Sequence, residues 1–185
     1  MLLTKDNGPQ AIQWIWARKQ SPAAIQSNPA LNAIEIDKGA LGNGLPHRTL
    51  SVLRHHRLLL TSKIAQRIYG KPDVLAAAKD LIALDGIGPA PTGRTIIYYH
   101  ILMPRHEILF AEGAAAESLY LGKEALKAIE PTARKELQLI FGTGWDSFAK
   151  TTPEPAHQLA QGKKLRELVI RHHKNSMPLT VRQRH

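Results

Sequence analysis

The sequence predicts a mainly β protein followed by a helical C-terminal extension, on three observations. Residues 95–122, TIIYYHILMPRHEILFAEGAAAESLYLG, hold aromatic and β-branched runs punctuated by Pro104-Arg105 and Glu112-Gly113. They read as a meander of Ile96 to Met103, His106 to Ala111 and Ala114 to Leu119, since such residues favour extended backbone and the breaks favour reversals. Earlier segments are short and alternating, and glycine and proline separate them. After Gly122 the apolar spacing becomes helical. The predicted division is a β body over 1–122 and a helical extension with a basic tail over 123–185.

Taken in order, Ala11 to Arg18, AIQWIWAR, alternates as a strand that buries either Ile12, Trp14 and Trp16 or the opposite set with Ile15. Asn32 to Asp37 gives a second strand, and Gly39, Gly42 and Asn43-Gly44 then break the chain. Thr49 to Thr61, TLSVLRHHRLLLT, is apolar at both ends and polar in the middle, which fits two short strands flanking Arg54-His55-His56. Ser62 to Gly70 reads as a helical turn. Val74 to Leu84 fits a helix, or a strand entering a short helical turn, and periodicity does not separate them. Asp85 to Gly93, DGIGPAPTG, reads as a loop. Lys123 to Ile129, Thr132 to Phe141 and Gln161 to His173 are the expected helices, with Gly142 to Pro155 as linker and Pro131 suited to a first helical turn.

The 185 residues are 43% hydrophobic, enough for a core, and contain no cysteine. Disulfides, thiolate metal sites and cysteine nucleophiles are therefore excluded within the chain. No apolar stretch approaches spanning length, so no membrane contact and a cytoplasmic location are expected. The formal charge of +10 allows attraction to nucleic acid or an acidic partner. The basic residues are densest in the tail, at Lys163, Lys164, Arg166, Arg171, Lys174, Arg182 and Arg184, and they form no recognition-helix pattern. A solvated surface explains most of them.

Strand-borne polar groups at His100, His106, Glu107, Glu117 and Ser118 can form a site or decorate a rim. His55, His56, His100 and His106 supply no HxxxH or HxH pair with a flanking carboxylate on one element, so neither metal nor cofactor is expected. Glu107 reads as a partner for a nearby arginine at the rim. His172-His173 read as the exposed end of a helix. Trp14 and Trp16 read as buried strand aromatics.

WIWAR, GALGNGLPHR, VLAAAKDL and YYHILMPRHEILFAEGAAAESLYLG, in this order, resemble the bacterial branch of the Hedgehog/intein (Hint) autoprocessing family over roughly Asn7 to Ile140. The resemblance implies a compact, pseudo-two-fold β fold. It also implies self-processing of a flanking polypeptide by an acyl shift from nitrogen to a cysteine or serine side chain. The first-block histidine, which polarises the scissile amide in the family, falls on His56, and the late histidine on His106. The family's Thr or Ser three residues before the first histidine is Leu53 here, which has no side-chain donor. The terminal His-Asn pair of inteins aligns near Glu117-Ser118, neither of which can perform asparagine cyclisation. The opening nucleophile has no counterpart, with Thr4 and Ser21 the nearest hydroxyls. These departures predict an N-terminally incomplete, inactive member with His56 and His106 as inherited catalytic positions. A basic nucleic-acid or acidic-partner binding module is the alternative.

Overall fold

The computed structural model describes residues 1–145 and 153–181, so part of the 142–155 linker and the tail arginines 182 and 184 lie outside the described residues. The chain opens with a hairpin of β1 (Leu2–Thr4) and β2 (Gly8–Gln10). Then come β3 (Trp14–Gln20), α1 (Pro22–Ser27), β4 (Ala33–Ile36), β5 (Leu50–Leu53) and β6 (Arg57–Thr61). The middle holds α2 (Lys63–Tyr69), β7 (Asp73–Ala77), β8 (Ile87–Pro89), β9 (Ile96–Leu102), β10 (Ile108–Ala111) and β11 (Ala114–Glu117). The chain continues with α3 (Lys123–Ala128), α4 (Pro131–Phe141), β12 (Gln158–Leu159) and α5 (Gly162–Lys174). Among the described residues no helix is long and apolar enough to cross a membrane.

The strands form three sheets, of which the largest has seven strands in the order β12-β7-β6-β11-β10-β1-β2. Its pairs are antiparallel except for β12, which runs parallel to β7. The sequence RLLLT of β6 explains its central place, because Leu58, Leu59 and Leu60 are all buried and only a strand covered on both faces tolerates such a run. Leu58 and Leu60 face the main core with Ile34, Ile36, Leu41, Val74, Ala76 and Leu81. Leu59 faces the other side with Leu75 and Ile108.

The predicted meander is corrected here. β10 and β11 do form a hairpin, turned by Glu112 and Gly113 at φ 50 and 79, the two positive values a tight hairpin turn requires. β9 does not join them. It pairs with β3 from Trp14↔Leu102 to Gln20↔Ile96 in a separate two-stranded sheet, because the side chains that alternate along it find their cross-strand partners there. Trp14 and Trp16, half-buried, lie on its inner side and Ile15 faces out. A second correction falls in 85–93: within the expected loop, β8 pairs with β4, contributing backbone and one buried side chain, Ile87.

Two strands flank Arg54-His55-His56 as expected. Residues 74–84 resolve to β7 followed by a helical turn at Ala78–Asp80. Ser62 caps α2 by accepting the Ala65 N–H at 3.0 Å, and Gly70 closes it at φ 76.

The extension packs on the β body. Leu165, Leu168 and Val169 of α5, together with Ala160 and Leu179, belong to the same buried cluster as Leu58 and Ile34. His172 corrects another expectation, since it is buried while His173 is exposed. Its Nδ1 lies 3.0 Å from the Met177 carbonyl, which can only accept, so Nδ1 carries the proton and Nε2 accepts from the Ser62 hydroxyl at 3.0 Å. Gly42, at φ 92, lets the chain end approach: a Cβ there would stand 2.3 Å from Pro178 Cβ.

Candidate functional site

His106 lies in the connection between β9 and β10, buried, and two other segments, 117–120 and 153–157, hold its ring. The Tyr120 ring stands against it at 4.8 Å between centroids. The Ala156 N–H donates to Nδ1 at 3.0 Å. Because a backbone amide can only donate, Nδ1 must present its lone pair, which leaves the proton of the neutral ring on Nε2. That nitrogen lies 3.3 Å from Glu117 Oε2, off the line of a good hydrogen bond.

Glu117, at the end of β11, is buried and well supported. The Arg57 N–H donates to Oε1 at 2.8 Å and the Arg57 guanidinium reaches Oε2 at 3.2 Å. Burial raises the Glu117 pKa, but His106 and the charges of His56 and Arg57 outweigh it and hold the carboxyl below its usual range. Arg57 also stands over the face of Tyr120, 5.7 Å from the ring centre.

His56 occupies the turn between β5 and β6. Its N–H donates to the Leu53 carbonyl at 3.0 Å, and its own carbonyl accepts from Ala78 N–H at 2.9 Å. The residue three before the histidine thus bonds to it through the backbone instead of through a hydroxyl. The imidazole keeps some exposed surface, yet protein surrounds it densely enough that burial chiefly lowers its pKa. Arg57 and His106 lower it further, and the Glu117 charge opposes them. His100 joins the same neighbourhood from β9, stacked on Trp16 at 5.4 Å, with Trp16 stacked on Trp14 at 6.1 Å. Burial, then the charges of His56 and Arg18, push the His100 pKa down to about 4. His55, next to His56 in sequence, is exposed, and partial burial with the charges of Lys79, Arg54 and Arg57 lowers its pKa as well.

The structure therefore brings His56, His106 and Glu117 within electrostatic reach of one another, with His100 coupled to the group through His56. Imidazoles beside an ionised carboxylate can take up and hand on protons. Among the described residues no group of three or more His, Asp and Glu is arranged to hold a metal ion. Glu107 departs from its predicted rim position. It is buried, its partner is Asn7, whose Nδ2 donates to both carboxylate oxygens at 3.0 and 2.9 Å, and among the described residues no arginine pairs with it. It lies just before β10, where strand alternation does not govern which way a side chain faces. Sequence reasoning also missed Tyr120, Arg57 and residues 153–157 as site neighbours; the aromatic at 120, three residues beyond the end of β11, was the one visible signal.

Neither a search of curated proteins nor one of solved structures returns a match. A family model described as Hint domain matches residues 1–123, two thirds of the sequence, and spans β1 to β11 with every residue of the site except those of the 153–157 segment. The strand-rich architecture agrees with it, and the chain belongs to the Hint domain family.

Proposed function

We propose that this chain retains the proton-handling half of a self-processing site without the nucleophile, so that it does not process a flanking polypeptide unaided. Membership of the Hint family supports an autoprocessing-related role. His56 and His106 are the residues assigned to proton transfer, and Glu117 to orienting and charge-balancing His106. The observation that carries the reading is the state of the hydroxyls. The chain has no cysteine. The Thr4 hydroxyl is buried, donating to the Gly8 carbonyl at 2.7 Å and accepting the Asn7 N–H. Ser118 Oγ accepts the Glu107 N–H at 2.9 Å, and Ser21 caps α1. A nucleophile and its base act as a unit, and histidines alone leave the acyl shift without an acceptor.

The test is a fusion in which a reporter precedes the full chain, treated with a thiol or hydroxylamine and followed by intact mass. The expected result is an unchanged fusion mass. Reporter release that disappears in His56→Ala would overturn the assignment.

One observation favours a second reading as a binding module. Lys163, Lys164, Arg166, Arg171 and Lys174 are all exposed on α5, opposite the buried Leu165, Leu168, Val169 and His172. Such a basic face predicts binding to nonspecific DNA that weakens steeply with added salt. No binding at low salt would remove this reading.

A further inference from the structure

Residues 153–160 cross the His106 side of the molecule, bending at Ala156 and His157 before a short strand at Gln158–Leu159. Pro153, Pro155, His157 and Leu159 are half-buried, whereas Glu154, Ala156 and Gln158 face solvent, an alternation that places one side of the segment on the surface beneath it as far as Leu159, after which Ala160 is buried. Its backbone is gripped at both polarities: the Tyr120 hydroxyl donates to the Pro153 carbonyl at 2.9 Å, and the Ala156 N–H donates to His106 Nδ1 at 3.0 Å. His157 Nε2 then meets Asp6 at 2.8 Å. The segment ends as β12, added parallel to the β7 edge, with the Ala160 N–H donating to the Leu75 carbonyl at 2.8 Å. Leu159 covers Leu59 and Leu75. Beside the segment a cleft of about 490 Å³ remains open between Asn7, Arg105, Glu107 and Pro155, so residues 153–157 lie in a groove, while Ala160 anchors the end of the segment in the main core.

We infer that this groove is a receptor for an extended polypeptide and that residues 153–160 of the same chain occupy it as an internal, autoinhibitory strap. Backbone donors and acceptors plus pockets for alternate side chains are what strand addition uses to bind a peptide. The strap consumes the Nδ1 lone pair of His106, the atom through which that ring would accept a proton from another group. A competing chain that reaches His106 must first displace Ala156. The inference deepens the assignment of His106 to proton handling, but its test reads binding, so the two fail separately.

The experiment uses the full chain, its Ala156→Pro variant, which deletes the N–H that His106 receives, and its Leu159→Asp variant, which weakens β12. Both changes lie in the strap and leave the groove intact, and either variant suffices if the other fails to fold. A labelled synthetic peptide, PEPAHQLA, is titrated by fluorescence anisotropy, and amide exchange is read over 153–160 and over β6. Each variant should bind the peptide about fivefold or more tighter than the wild type, the equivalent of one lost backbone hydrogen bond. Exchange should quicken over 153–160 with β6 unchanged. Faster exchange over 153–160 without tighter peptide binding would show that the surface does not receive a strand. Exchange unaltered in both variants would show that these contacts do not hold the segment. Either result overturns the inference.

Discussion

Acid should destabilise this protein through His100, and the structure sets the size of the effect. The ring is stacked on Trp16 in the β3–β9 ribbon, and burial, with the neighbouring His56 and Arg18 charges, pushes its pKa down to about 4. In the unfolded chain it titrates near 6.5. Below that pH the unfolded chain binds a proton that the folded site refuses, so the unfolded state holds more protons and stability falls as pH falls. The loss stops once the folded site itself protonates. Between pH 7 and pH 4.5 it amounts to about 2.5 kcal/mol from this residue. His56 and His172, both lowered chiefly by burial, steepen the same slope. The His100 share is therefore read as a difference: urea unfolding of wild type and His100→Gln at both pH values, followed by tryptophan fluorescence. The variant should lose about 2.5 kcal/mol less on acidification. Equal acid losses in the two proteins would refute the burial argument.

Three substitutions test the packing of the extension. Ser62→Ala removes the acceptor for Ala65 N–H and the donor to His172, and should lower stability in urea by about 1–3 kcal/mol. Leu168→Ala empties a fully buried position in the main cluster and should cost about 2–5 kcal/mol, read as a drop in thermal midpoint. Gly42→Ala drives a Cβ into Pro178 at a φ of 92 and should cost about 1–3 kcal/mol. Its signature is local: the Thr180 amide, which donates to the Leu41 carbonyl at 3.0 Å, should exchange faster than amides of β6.

The strands that could be read from sequence are those whose composition alone decides their state. TLSVLRHHRLLLT resolves into β5 and β6 because its polar middle interrupts two apolar runs. What composition does not carry is the identity of a strand's partner. β9 follows the same alternation whether it pairs with β10 next to it or with β3 far upstream, and only the three-dimensional register chooses β3. β8 was hidden because it offers the sheet mainly backbone from a Gly- and Pro-rich stretch. The buried His172 was legible in principle, since Leu165, Leu168, Val169 and His172 share one helical stripe. For the site, family-like motifs located His56 and His106, while the groups that tune them, Glu117 through Arg57 and Nδ1 through Ala156, depend on contacts between distant segments.

The shared core of α5 and the β body has a practical consequence for anyone who would move this domain as a cassette. The family match ends at Lys123, but Leu165, Leu168, Val169 and Leu179 form part of the lining over Leu58, Leu60 and Val74. A graft cut at the family boundary would leave that apolar floor facing water, and an exposed floor of this kind invites self-association. The smallest portable unit therefore runs to Val181, whose N–H closes onto the Thr61 carbonyl at 3.0 Å.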